Sequence, residues 1–316
     1  MADVDVVVVS YNSGDVLRAC VETLAGTSGL NVIVVDNASP DRSLEAIEGI
    51  PLTAIRQTGN RGFASGCNVG WKAGRAPVVL FLNPDARIAS DDVYRLAEVI
   101  RRDSGTGAAG PRIVDESAHL QFSMRRFPRP SSTFATAAYL HRLFPRAHWA
   151  TEEVADPLLY AEPCSADWIS GACLAVSRSV LERLGGWDED FFLYAEDIDL
   201  CRRIHGLGLC VRYEPAATAV HVGGMSAPRP GLVPVLAWSR VRYAQKHSTP
   251  GRAMVERAAI VVETGVRAVT SPRGAAARRG NAQAALMLLR PLTSTSPRPV
   301  LDRDDASGAI SSSRGS

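Results

Sequence analysis

Hydrophobic and polar positions alternate along this chain in two different rhythms. Val4 to Val9 is a run of β-branched residues around Asp5, the pattern of a strand buried on both faces. Behind Ser13, its candidate N-cap, a helix is predicted from Gly14 to about Leu24. Val16, Leu17, Cys20, Val21 and Leu24 share its apolar face. Asn31 to Val35 reads as a second strand and Leu52 to Arg56 as a weaker third. Gly62 to Gly74 reads as a helix, Val78 to Leu82 as a strongly apolar strand, and Asp91 to Arg101 as a helix capped by Ser90. Gly107 to Val114 holds a fifth strand that Pro111 should cut short. Strands interleaved with helices predict an α/β fold, with a mostly parallel sheet and helices on both faces.

From Asp115 to about Asp167 the rhythm dissolves among Pro128, Pro130, Pro145, Pro157 and Pro163, as expected of an insertion with short helices that shapes an acceptor site. Order returns at Trp168 to Val176. Helices follow from Ser179 to Leu184 and from Glu196 to His205, then short strands at Cys210 to Tyr213 and Ala219 to Val222. Three parts are expected: residues 1–228 as one α/β domain (1–114 nucleotide-binding half, 115–228 acceptor half), 229–293 as a basic helical appendage, and 294–316 as a Ser- and Pro-rich disordered tail.

Composition narrows the function classes. A net charge of +2 on 316 residues gives no footprint for nucleic acid. The six cysteines form no C-x-x-C pair, so they are expected as buried free thiols. No apolar run nears the roughly 20 residues of a membrane span. The start, Met1-Ala2-Asp3-Val4-Asp5, lacks a basic n-region, which predicts a cytoplasmic protein. Between Arg229 and Arg298, twelve Arg or Lys face only Glu256 and Glu263. Arg252 to Val269 and Leu286 to Leu289 therefore suit a peripheral contact with the inner face of the plasma membrane. A solvated helical face or a homo-oligomer contact fits the same pattern.

In an open α/β sheet, ligands bind beyond the carboxyl ends of the strands. Three strands here end in polar clusters: Ser10-Tyr11-Asn12, Asp36-Asn37-Ala38-Ser39 and Asn83-Pro84-Asp85. Asp36 can accept from a pyrimidine N–H and Tyr11 can stack on a base, although Asp36-Asn37 also suits a plain turn. Asp85 can ligate a hard divalent ion that grips phosphate oxygens, although Asn-Pro-Asp also suits a turn. Gly59-Asn60-Arg61-Gly62-Phe63-Ala64 lacks the Lys-Ser/Thr of a P-loop but lets backbone approach a ligand. Asp197 shares a helical face with Leu200, Cys201 and Ile204, so an inward carboxylate suited to general-base work is expected at the helix start. Asp199 and Arg203 read as an ordinary helix pair. His221, at a strand end, can serve the fold or complete a metal site.

Taken in order, Ser10-Tyr11-Asn12, Asp36-Asn37-Ala38-Ser39, Asn60 with Gly62-Phe63-Ala64, Asn83-Pro84-Asp85, Ser170-Gly171-Ala172-Cys173-Leu174, Gly185-Gly186-Trp187-Asp188-Glu189, and Phe191-Phe192-Leu193-Tyr194 with Glu196-Asp197-Ile198-Asp199-Leu200 form a specific set. Over roughly Val4 to Gly224 the chain resembles the family 2 inverting glycosyltransferases of the GT-A fold, in particular their bacterial rhamnosyltransferase-like branch. The resemblance implies a nucleotide site of Ser10, Tyr11, Asn12, Asp36, Asn37, Asn60, Gly62 and Asn83. It implies a sugar pocket at Trp168, Gly171, Ala172, Trp187 and Glu196, Asp197 as catalytic base, and Asp85 with His221 as ligands of Mg²⁺ or Mn²⁺. It implies a dTDP- or UDP-linked sugar donor, with dTDP-rhamnose foremost and a UDP-hexose or UDP-galactofuranose as alternatives. The acceptor would be a glycan or polyprenyl-diphosphate-linked hydroxyl in cell-wall or surface polysaccharide synthesis. A non-catalytic sugar-nucleotide-binding protein is the other class that fits. Ser10 stands where the family usually has Thr, and Asn83 replaces the first acid of a full DxD motif.

Overall fold

The computed structural model describes residues 2–222 and 229–290. The first half alternates as its sequence rhythm demands: β1 (Val4–Ser10), α1 (Gly14–Val21), β2 (Leu30–Asp36), β3 (Thr53–Arg56), α2 (Phe63–Ala73), β4 (Val78–Leu82), β5 (Ala86–Ile88), α3 (Ser90–Arg102) and β6 (Thr106–Val114). The 115–167 stretch contributes β7 (Leu120–Gln121), β8 (Met124–Arg125), α4 (Pro130–Ala137), α5 (Leu140–Leu143) and β9 (Cys164–Ala166). Then come β10 (Trp168–Ile169), β11 (Cys173–Ser177), α6 (Arg178–Leu184), α7 (Glu196–Gly206) and β12 (Cys210–His221). Three helices follow: α8 (Val233–His247), α9 (Pro250–Thr270) and α10 (Gly274–Leu289).

The main sheet runs β3-β2-β1-β4-β11-β6-β12-β5. Its first four strands are parallel, β11 enters antiparallel between β4 and β6, and β12 returns parallel to β6. Apolar side chains fill both faces. One core gathers Val7, Val9, Phe81 and Leu174 with Trp187 and Leu200, the other Val6, Val8, Leu80 and Leu82 with Leu17 and Leu96. A strand of alternating burial could not do this; the unbroken valines of β1 can.

α2 lies unusually close to β1 because its inward positions are glycines. A Cβ at Gly66 would sit 2.6 Å from Val9 Cγ1, and one at Gly70 would sit 2.3 Å from Val7 Cγ1. The i, i+4 spacing puts both on the packed face.

Several expectations are corrected. β6 runs through Pro111, whose partner Glu214 borders an irregularity between Glu214 and Thr218, so the missing N–H falls where the ladder is already interrupted. The same irregularity joins the two short strands expected near 210 and 219 into one long β12. Ser13 does not cap α1: its hydroxyl donates to Tyr11 O, while Asp41 accepts from Gly14 N–H. Ser90 is the first residue of α3 rather than its cap. The cysteines are free thiols, four of them buried. The tail expected to be disordered, 294–316, lies outside the described residues.

Candidate active site

The carboxyl ends of β1 and β2 lie side by side, with Ser10 paired to Asp36 across the ladder. Both are buried, and Ser10 Oγ and Asp36 Oδ1 have no hydrogen-bond partner among the described residues. Asp36 Oδ2 accepts from Ser39 N–H and sits 3.6 Å from Arg56 Nε. Two buried acceptors without donors at the floor of a crevice suit a ligand that brings N–H or O–H groups. Tyr11 stands half-buried beside them.

Asn37 behaves differently from Asp36. Its Nδ2 donates to Gly62 O at 2.9 Å and its Oδ1 accepts from Gln57 Nε2 at 2.7 Å. With both ends of its amide occupied, it ties β2 to the loop before α2. Asn60 caps that loop by accepting from Gly62 N–H at 3.0 Å. Gly62 has φ +92°, and a Cβ there would lie 2.3 Å from Phe192 O. Its glycine is thus required by the close passage of the 192 backbone, reinforced by the Phe63 N–H to Phe192 O bond.

On the other side of the crevice a continuous chain of contacts forms. Asn83 N–H donates to Ala172 O at 2.9 Å, and next along, Gly171 N–H donates to Asp197 Oδ2 at 3.0 Å. Asp85 Oδ1 lies 3.2 Å from His221 Nε2, where β5 and β12 pair Ala86 with His221. Gln121 Nε2 supports His221 through its carbonyl. His221 Nδ1 is buried without a partner among the described residues. One strip thus runs His221, Asp85, Asn83, Ala172, Gly171, Asp197, drawn from three well-separated stretches of the sequence. Asp85 and His221 supply one carboxylate and one imidazole, a donor pair that fits Mn²⁺ readily and Mg²⁺ through its oxygen alone. Among the described residues no group of three or more His, Cys, Asp or Glu side chains is placed to hold a metal ion. An ion here would need oxygens from its ligand.

Asp197 is half-buried at the start of α7, while its neighbour Glu196 is buried. Burial pushes the Glu196 carboxyl well above its ordinary range, and the Asp197 charge adds to that. Burial also raises Asp197, but the N–H bonds from Gly171 and Ile198 and the Arg125 charge pull it partly back. Hydrogen bonds and a nearby cation thus support the Asp197 charge, while burial and the adjacent carboxylate oppose that of Glu196. Backbone strain collects at the same place. Asn12, Ala38, Tyr194 and Ala195 all have positive φ, and all lie in the loops around this crevice.

Two tryptophans do not line a pocket. Trp187 is 2% exposed, wedged edge-on against Phe81 and Phe63, with its backbone clamped by the Asn68 side-chain amide. Trp168 is 7% exposed and donates from Nε1 to Arg126 O. Large flat side chains at these junctions fill the gap between sheet and helix, which burial rewards more than exposure to a sugar. Asn68 escaped the sequence reading because a polar residue inside α2 gives no signal until its partner, 119 residues away, is known.

The sequence placed helix beyond residue 229 but concealed what α8 holds. Asp199 is fully buried and accepts from Arg203 Nε, Lys246 Nζ and His247 Nε2, each at 2.7 Å. The expected helix pair with Arg203 thus forms, but it is buried and shared with two donors from α8. Lys246 also reaches Asp188 at 2.5 Å, Arg242 pairs with Asp190, and Ser239 Oγ donates to Leu193 O. α8 straps the whole 188–199 segment that presents Asp197.

A crevice at the carboxyl ends of a half-parallel sheet, with a strip of acids, is the architecture of the GT-A glycosyltransferases. The mannosyltransferase PcManGT of Pyrobaculum calidifontis, solved with GDP-Man and Mn²⁺, superposes with a TM-score of 0.53 at 19% identity, over 90% of this chain and 80% of that one. The sequence matches the model of "Glycosyl transferase family 2" over residues 5–152. It is 30% identical over 267 residues to the N-acetylglucosaminyl-diphospho-decaprenol L-rhamnosyltransferase of Mycobacterium tuberculosis, covering 78% of this chain and 86% of that protein. It is 25% identical to rhamnosyltransferase WbbL of Escherichia coli, covering 68% and 82%. The chain belongs to the family 2 glycosyltransferases and is rhamnosyltransferase-like.

Proposed function

We propose that this glycosyltransferase moves L-rhamnose from dTDP-rhamnose, with inversion, to a hydroxyl of a polyprenyl-diphosphate-linked sugar. The observation that carries the reading is the strip that joins Asn83 through Ala172 and Gly171 to Asp197. It links the candidate base, through one backbone bond and one backbone-to-carboxylate bond, to the strand end that carries Asn83 and Asp85. The names of the mycobacterial and E. coli relatives support rhamnose and, for the former, a lipid-linked GlcNAc acceptor.

In this reading Ser10, Tyr11, Asn12 and Asp36 hold the nucleotide, with Asp36 Oδ1 accepting from the thymine ring N–H. Asn37, Asn60 and Gly62 shape the loop against it. Asp85 and His221 would hold a divalent ion, which would offset the charge of the leaving diphosphate. Gly171 leaves the space in front of Asp197 that the sugar and the acceptor need. Asp197 takes the proton of the acceptor hydroxyl as that oxygen bonds to the anomeric carbon. The carbon–oxygen bond to the diphosphate breaks on the opposite face, and the diphosphate leaves with the electron pair. Arg125, whose charge already bears on Asp197, helps keep the base ionised. Residues 1–228 and the helices from 229 onward act as one catalytic unit in this scheme, because α8 supports the Asp197 segment.

The test is release of nucleoside diphosphate from dTDP-rhamnose and a panel of UDP-sugars. A short-chain polyprenyl-diphosphate-GlcNAc acceptor would be used, with chelator and with added Mg²⁺ or Mn²⁺. Acceptor-dependent release from dTDP-rhamnose alone, lost with chelator, is expected. Release from a UDP-sugar instead overturns the donor assignment.

A further inference from the structure

Beyond the crevice, one surface faces solvent in an unusual way. α4 packs against α9, but after Tyr139, held at φ +57°, the chain turns apolar side chains outward. Leu143 is 72% exposed, Phe144 49% and Trp149 48%. Phe134, Leu140 and Trp149 join Val262 and Val266 of α9 around an open apolar groove of about 460 Å³. Charge on this side is of one sign. Residues 129–149 contain Arg129, Arg142 and Arg146 and no acid. Residues 264–270 of α9, next to the groove's Val266, add Arg267, paired to Glu263, and no acid. The acids of the region turn inward: Glu256 and Glu263 are buried around Arg240, which lies 2.7 Å from Glu263.

We propose that this face rests on an anionic phospholipid leaflet. Leu143, Phe144 and Trp149 enter the boundary between headgroups and acyl chains, and Arg142 and Arg146 sit at the level of the phosphates. Each part matches its place in a bilayer. Tryptophan is at home in the interface, arginine keeps its charge among headgroups while its stem lies on apolar surface, and stable contact needs both apolar insertion and cationic attraction. A second copy of the chain suits the face less well. Isologous pairing would bring two cationic patches with no acids against each other. Residues 126–129 join this surface to β8, whose Arg125 stacks over Trp168 near the head of α7, so the lipid face and the candidate base share one stretch of chain. The lipid contact itself does not rest on the rhamnose assignment.

The test is co-sedimentation of the full chain with vesicles of phosphatidylcholine alone and of equal parts phosphatidylcholine and phosphatidylglycerol. Binding is expected only to the anionic vesicles, weakening with added salt. Arg142→Gln and Arg146→Gln should each weaken it about fivefold. The pair Leu143→Ser with Phe144→Ser should abolish it while circular dichroism and the unfolding temperature stay unchanged, since both side chains are exposed. Absence of binding to anionic vesicles, or equal binding by wild type and variants, overturns the proposal. So does a dimer in sedimentation velocity that Phe144→Ser dissociates without changing vesicle binding, which would assign the face to a second copy.

Discussion

Replacing Asp199 by Asn tests whether α8 holds the segment that presents Asp197, the candidate base. The change preserves shape and removes one charge. Asp199 accepts three contacts of 2.7 Å from cationic or ionisable donors in a fully buried position. An Asn oxygen can keep one of them, leaving about two charge-assisted bonds lost at roughly 1.5–2.5 kcal/mol each. It also leaves Arg203 and Lys246 near each other without their shared anion. The sum is about 3–5 kcal/mol, in the range measured when one partner of a buried pair is removed. For a chain of this size that is a fall of about 6–10 °C in unfolding temperature, at roughly 2 °C per kcal/mol. Because Asp197 sits on the same helix, a displacement approaching 1 Å would lower kcat by up to about 100-fold while the KM for donor stays put. Differential scanning calorimetry and steady-state kinetics well below the transition read the two effects separately. An unfolding temperature within 2 °C of wild type, with kcat intact, would refute the strap. The pH dependence carries a further signature. Burial alone would raise the Asp199 carboxyl, but the His247 hydrogen bond and the Arg203 and Lys246 charges outweigh it and hold it below its ordinary value. Its folded-state value is depressed, so its stabilisation is present above the unfolded value near pH 3.9 and fades as pH falls below it. The wild-type advantage over Asp199→Asn should therefore shrink in strong acid.

Asp197→Asn should lower kcat by roughly 100- to 10,000-fold while donor binding, read by isothermal calorimetry, survives; equal loss of both would remove Asp197 from the role of base. Because burial raises Asp197, the acid limb of wild-type kcat/KM should fall above the pH of an ordinary carboxyl, and a limb at or below pH 4 would contradict that environment. The Glu196 carboxyl is raised, so its stabilisation is present at low pH and lost as pH rises through the folded value. Glu196→Gln should then unfold at a higher temperature than wild type near pH 8, with the difference closing toward pH 4. Gly62→Ala should destabilise by about 1–3 kcal/mol or more, since its φ is left-handed and its new methyl meets Phe192 O; a melting curve superposable on wild type would show that the loop simply moves. His221→Ala should weaken Mn²⁺-dependent donor binding by at least the roughly 10- to 100-fold that follows loss of a ligand's support, and no change in the Mn²⁺ titration would return His221 to a structural role.

The alternating half of the fold was legible because local pattern and final environment agree there. The valines of β1 and the strand Val78 to Leu82 are apolar on both sides, and only a sheet covered on both faces can bury them. The polar strand ends at Ser10, Asp36 and Asn83 were legible for the same reason, since parallel strands must end together. Legible along the chain, then, were the sheet's parallel half, the acids at its rim, and the family to which they belong. How the acids are held emerges only when distant segments pack together. Asp197 meets Gly171 N–H, Asn68 clamps Trp187, and Lys246 and His247 of α8 grip Asp199, each across a separation that no local pattern records. Trp168 and Trp187 went into the core rather than the pocket because burying a large ring against the sheet releases more free energy than lining a wet crevice. Periodicity reports which face of an element is buried; it is silent on which distant side chain will satisfy a polar group once it is there.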